Sequence, residues 1–102
     1  MRYRRIAVIS YHTCPLSDIE GEETGGLNVY VLGLCKQLAK IGYMIDIFTR
    51  SQDKDNQRIV NVQDNLRVIH IIAGKEEKIA KKKLIFHIPE FLTNMHDFIN
   101  DN

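Results

Sequence analysis

Two adjacent glycines, Gly25 and Gly26, stand where an irregular loop gives way to a helical pattern, shortly after a run of β-branched residues. Glycine lacks a Cβ, so a ligand can approach the backbone there, and the first N–H groups of a helix have no partner within it. With the helix dipole, such N–H groups form a site for an anion, most often a phosphate. The same pair could also serve a tight turn alone. Both readings stay open on the glycines by themselves.

His12 follows the β-branched run directly and is a candidate for hydrogen bonding or proton transfer at the mouth of a cleft. Asp18, Glu20, Glu22 and Glu23 make the next loop acidic, but without the ligand spacing of a calcium loop, so no metal is expected. Lys75, Lys78, Lys81, Lys82 and Lys83 form one basic cluster, tempered by Glu76 and Glu77. It reads as a solvated helix face that could also lend a lysine to a phosphate. His70, His87 and His96 read as structural or exposed. No Gly-x-Gly-x-x-Gly and no Gly-Lys-Ser/Thr is present, which argues against a dinucleotide dehydrogenase or a P-loop nucleotidase. No serine or cysteine stands in a nucleophile elbow, so acyl transfer has no support. No cofactor is expected.

These residues need elements to hold them. Arg5 to Ser10 is a short apolar run that reads as a strand buried on both faces, as in a parallel sheet. Leu27, Tyr30, Val31, Leu34, Leu38 and Ile41 then recur on one face of a 3.6-residue period, and Gly42 suits the position after a helix end. Tyr43 to Thr49 reads as a second strand, which completes a right-handed βαβ unit. Arg50 to Gln57 reads as a polar loop. Arg58 to Val62, a turn at Asp64-Asn65 and Leu66 to Ile72 predict a short strand folded back on a longer one. A last helix is expected from near Ile79, or after Pro89, towards the end.

Ligands of open α/β sheets gather at the carboxyl ends of the strands, where the Gly25-Gly26 loop must lie. The 102 residues amount to about one small domain. A formal net charge of +1 argues against a dedicated nucleic-acid binder. No apolar run approaches the ~18–20 residues of a membrane span, and the stretch after Arg5 is too short for a signal peptide. Two cysteines without metal spacing suit a reduced, cytoplasmic protein, with Cys35 a small buried hydrophobe.

Three strings carry a more specific signal: Arg5 to Leu16 (RIAVISYHTCPL), Glu23 to Val31 (ETGGLNVYV) and Asp46 to Arg50 (DIFTR). Together they resemble the amino-terminal end of retaining glycosyltransferases of family 4. Within that family, Leu27-Asn28 after the glycines is similar to the branch that glycosylates an inositol phosphate. Lys83 to Phe91 instead resembles sucrose-phosphate synthases. The resemblance implies a GT-B architecture, with a nucleotide-sugar held between two Rossmann-like halves. The chain would then be part of the amino-terminal half, an α/β domain with a mostly parallel sheet, and the carboxy-terminal nucleotide-sugar domain would be absent.

Carried over position by position, the resemblance implies that Gly25 and Gly26 face the donor diphosphate, with Asp18 and Ile19 near the donor nucleotide. It places His12 and Asn28 on the acceptor and Lys81 on an acceptor phosphate. The implied reaction moves a sugar from a nucleotide-sugar to a hydroxyl acceptor, either phosphorylated or not, with retention and without a metal ion. Taken alone, the 102 residues are expected to be inactive and to self-associate through an exposed sheet edge. The alternatives are a non-catalytic Rossmann-like binding or interaction module, or the product of a truncated gene.

Overall fold

The computed structural model describes residues 4–12, 14–16 and 25–101, and in the first helix the side chains from Val29 onward. Strand β1 (Arg5–Ile9) leads to helix α1 (Gly25–Lys40), which returns into β2 (Met44–Arg50). A hairpin of β3 (Ile59–Gln63) and β4 (Leu66–Ile71) follows. A single-turn helix, α2 (Lys81–Leu84), passes through a 3-10 turn (Ile85–His87) into α3 (Ile88–Asp101). The expected α/β order is therefore present in full.

The sheet order is β1-β2-β4-β3. Strands β1, β2 and β4 run parallel, in a register that sets Ile6 beside Ile45 and Ile47 beside Val68. Strand β3 pairs antiparallel with β4, through a turn at which Asn65 takes a left-handed φ of 67°. Asparagine tolerates that conformation because its short polar side chain can bond locally.

The two-residue period of the strands sorts the core into two apolar layers. Ile45, Ile47, Leu66 and Val68 face α1, where they meet Cys35 and Ala39. Phe48, Ile69 and Ile71 face the opposite side and pack with Phe91, Met95 and Phe98 of α3. Between these layers β2 and β4 are enclosed on both faces, so their sequences read as nearly continuous apolar runs. Asp46 interrupts the run on the α3 side. It accepts a two-pronged hydrogen bond from Arg67 at 2.8 Å for each contact, and the Arg67 guanidinium lies over the Phe98 ring, 5.7 Å from its centroid. Two parallel charge-assisted bonds of this kind satisfy both groups at a half-buried site.

Helix α1 ends by a Schellman arrangement. The Tyr43 N–H reaches the Leu38 carbonyl and the Gly42 N–H reaches that of Ala39, while Gly42 takes a φ of 107°. Only glycine adopts that φ without a Cβ penalty, which makes the position after the helix specific.

Two expectations change. Strand β1 is not enclosed on both faces. Only α1 covers it, so Ile6 and Val8 are half-buried while Arg5, Ala7 and Ile9 are exposed on the other face, Ile9 at 52%. It lies at one end of the four-stranded sheet. Arg50 is also not part of a surface loop. It is the last residue of β2 and is fully buried.

Phe91 holds α3 to the sheet. It is 1% exposed and meets the Tyr11 ring edge-on at a centroid distance of 4.9 Å. Phe91→Ala should remove about 3–4 kcal/mol of stability through lost burial and a residual cavity. Urea unfolding of the two chains would show this as a lowered midpoint with little change in slope.

Candidate functional site

The carboxyl ends of β1, β2 and β4 lie together because these three strands are parallel. The start of α1 faces the same end, since a right-handed crossover returns the chain over the sheet from there. Gly25 and Gly26 are the first two residues of α1, so their N–H groups are among those the helix leaves free. Asn28 lies one turn in. Asp18 and Ile19 fall outside the described residues.

His12 is half-buried just past β1, and its carbonyl accepts a 2.8 Å bond from the Gln52 side chain. That bond ties the first loop to the segment after β2. Cys14 ties it to β4. Its sulfur is 3.2 Å from His70 Nε2, and His70 Nδ1 is 2.7 Å from the Gln57 carbonyl. His70 is thus a structural residue as expected, but a buried one, and burial lowers its pKa below the usual histidine value. The Gln57 carbonyl opposes that shift, while Arg58 adds to it.

After β4 the chain forms a strap, residues 73–80, that leads to the lysines. Arg50 organises it. One guanidinium nitrogen donates to the carbonyls of Ala73 at 3.0 Å and Lys75 at 2.9 Å, and the other donates to that of Glu77. A buried cation is costly unless its donors are met, and three converging carbonyl dipoles meet most of them. Burial still pulls the Arg50 pKa below its ordinary value, opposed by Tyr11 and Glu77. Arginine suits this role because its flat fork spans several acceptors, whereas an ammonium is a single point.

Further bonds fasten the strap from three sides. Ser51 Oγ donates to the Glu76 carboxylate at 2.7 Å. The Gly74 N–H donates to the Glu90 carboxylate of α3 at 2.7 Å. Tyr11 donates its hydroxyl proton to the Leu84 carbonyl at 2.5 Å. Gly74 has a φ of 74°, and the His87 ring lies so close that a Cβ would come within 2.8 Å of it. The strap delivers Lys81 as the first residue of α2, where it is exposed. Lys75, Lys78, Lys82 and Lys83 are exposed beside it, so the cluster stands as a solvated basic face.

The strand order directs His12 and the start of α1, with Gly25, Gly26 and Asn28, to the end of the sheet where β1, β2 and β4 finish, and the chain reaches Lys81 through the strap that follows β4. Sequence reasoning missed Arg50 and the Cys14–His70 contact. Arg50 bonds only to backbone carbonyls, which leave no mark in side-chain spacing. Cys14 and His70 lie 56 positions apart and meet only through the parallel pairing.

An end of a parallel sheet with a glycine-led helix is a setting in which a phosphorylated ligand can bind. The chain is a homologue of glycosyltransferases. The D-inositol 3-phosphate glycosyltransferase of Corynebacterium aurimucosum is 42% identical to it over 94 residues, covering 92% of this chain and 22% of that enzyme. The enzyme of the same name from Mycobacteroides abscessus is 43% identical over 84 residues, covering 82% and 19%. Sucrose-phosphate synthase from Thermosynechococcus elongatus superposes with a TM-score of 0.88 at 33% identity, covering 93% of this chain and 24% of that structure. No family model matches the sequence. The chain spans about a fifth of the length of the curated relatives it matches.

The strap's dependence on Arg50 is directly testable. Arg50→Met leaves three carbonyls without their donor and should cost about 2–4 kcal/mol. Hydrogen exchange would show faster exchange at Glu77 and its neighbours in the strap, with the amides inside β2 changed less.

Proposed function

We propose that this chain is the amino-terminal part of a retaining, family 4 glycosyltransferase of GT-B architecture. It would work in the cytoplasm, moving a sugar from a nucleotide-sugar to a hydroxyl acceptor that bears a phosphate. The observation that carries this reading is the 42% identity to a D-inositol 3-phosphate glycosyltransferase across nearly the whole chain. Supporting it is the position of the α1 start, which the parallel order of β1, β2 and β4 sets at the carboxyl ends of those strands.

In this reading Gly25 and Gly26 let the donor diphosphate lie against the helix end. As the sugar bond breaks, the departing diphosphate gains negative charge, and N–H groups already aimed at it lower the barrier. Asp18 and Ile19 lie towards the donor nucleotide. His12 and Asn28 hold acceptor hydroxyls, and Lys81 pairs with the acceptor phosphate. No step calls for a metal ion. The remaining contacts to the donor would come from a second domain, with which this chain shares the cleft. Without that domain nothing excludes water or orients the reacting groups, so the 102 residues alone would not transfer sugar. The half-uncovered β1, with Ile9 exposed, would then favour self-association.

The test joins this chain to the remainder of the corynebacterial relative and assays sugar transfer from several nucleotide-sugars. The 102-residue chain should be inactive and the chimera active. In the chimera Gly26→Val should lower turnover about a hundredfold or more, because a branched side chain occupies the diphosphate's space. Lys81→Ala should weaken a phosphorylated acceptor about tenfold or more, with less effect on its unphosphorylated analogue. Unchanged donor use in Gly26→Val would reduce the glycines to a turn. Equal losses on both acceptors would return Lys81 to the solvated face.

A further inference from the structure

The Cys14 thiol, the His70 imidazole and the Gln57 carbonyl form a relay where the β1 loop meets β4, with spacings of 3.2 Å and 2.7 Å. A carbonyl oxygen only accepts, so His70 Nδ1 carries the proton of the neutral ring, and Nε2 turns a lone pair towards sulfur. The thiol therefore donates to Nε2. The Leu16 N–H approaches the same sulfur at 3.4 Å, where it would stabilise negative charge. A thiol within reach of a base, with that base oriented by a third group, is the arrangement that activates a cysteine nucleophile.

Cys35 provides a contrast within the same chain. It sits in α1 against the apolar layer, 2% exposed, and burial raises its thiol pKa. Cys14 is 8% exposed and lies at the open end of the sheet, beside the exposed Leu16.

We propose that Cys14 is a thiol modification site for small electrophiles, low-molecular-weight disulfides among them, and that its modification releases residues 14–16 from β4. With a disulfide RSSR, the thiol proton passes to His70 Nε2 and the Cys14 sulfur attacks one sulfur of the reagent. The reagent's S–S bond breaks, a Cys14–S–S–R bond forms, and RS⁻ leaves to be protonated to RSH. The disulfide is the oxidant, and no other co-reactant is needed. The new group takes the place of the S–H donor, so the hydrogen bond from Cys14 to His70 that seats the loop is lost.

The site is tested on the 102-residue chain by brief labelling with limiting iodoacetamide. The chain is then unfolded, labelled with an isotopically heavy form of the reagent, and peptide-mapped by mass spectrometry. In the folded protein Cys14 should react about tenfold or more faster than Cys35, and the two rates should converge in guanidinium. His70→Asn should slow Cys14 about tenfold or more without slowing Cys35. Treatment with bis(2-hydroxyethyl) disulfide should add one group at Cys14 and speed hydrogen exchange at Leu16, leaving β2 amides unchanged. Cys14 reacting no faster than Cys35 in the folded wild-type chain overturns the proposal, whether or not the variant folds. So does an unchanged Cys14 rate in a His70→Asn chain shown by circular dichroism to be folded, or unaltered exchange at Leu16 after modification.

Discussion

A single buried guanidinium sets the form of the functional end of this molecule. Arg50 closes β2 in the middle of the sheet and holds the carbonyls of Ala73, Lys75 and Glu77 in one place. A backbone segment leaving β4 has no strand ladder to satisfy its carbonyls. Arg50 supplies the donors, and the carbonyls in turn replace the water the cation has given up. Each side of the exchange is unfavourable without the other. The strap, and with it the lysines, follows the path this exchange dictates.

The same end of the sheet gathers the other loops by polar contacts of modest individual strength. Gln52 holds the His12 carbonyl, Cys14 meets His70, Ser51 meets Glu76, and Glu90 receives the Gly74 N–H. Most link elements distant in sequence. At this end the apolar layers taper off, and hydrogen bonds take over the task of fixing position. A site for a charged, hydrated ligand needs such a transition, because the groups that meet the ligand must be held firmly while remaining polar.

Much of the fold was legible in the sequence because it rests on periodicity. The α1 face, the runs of β2 and β4, the Asp64-Asn65 turn and Gly42 each follow from local spacing or from a conformation that only a few residues accept. The second face of β1 stays open, and the sequence does not show it because an apolar run does not say which helix covers it; among the described residues α3 packs on β2 and β4 while Ala7 and Ile9 remain exposed. Arg50 was misassigned for a related reason. An arginine after a strand has the composition of a loop, and its burial depends on carbonyls 23 to 27 positions away. For the site, the glycine pair was legible as a local motif. His12 follows from its place after the first strand and Lys81 from the lysine cluster, whereas Asn28, and Lys81 as the one lysine of its cluster, rest on the family resemblance and not on periodicity.

The parallel register of the sheet also imposes an order on assembly. Strand β1 pairs with β2 across about forty residues, at Arg5 and Met44, whereas β3 and β4 meet across a two-residue turn. Closing the longer loop costs more chain entropy before any pairing repays it. The β3–β4 hairpin can therefore form early and offer its edge to β2, with α1 and β1 docking afterwards. The strand that precedes the others in the chain is then among the last to be seated. Until β1 arrives, β2 is itself an open edge of the growing sheet, and its apolar residues Ile45, Ile47 and Phe48 are the surface most exposed to misassociation while folding proceeds.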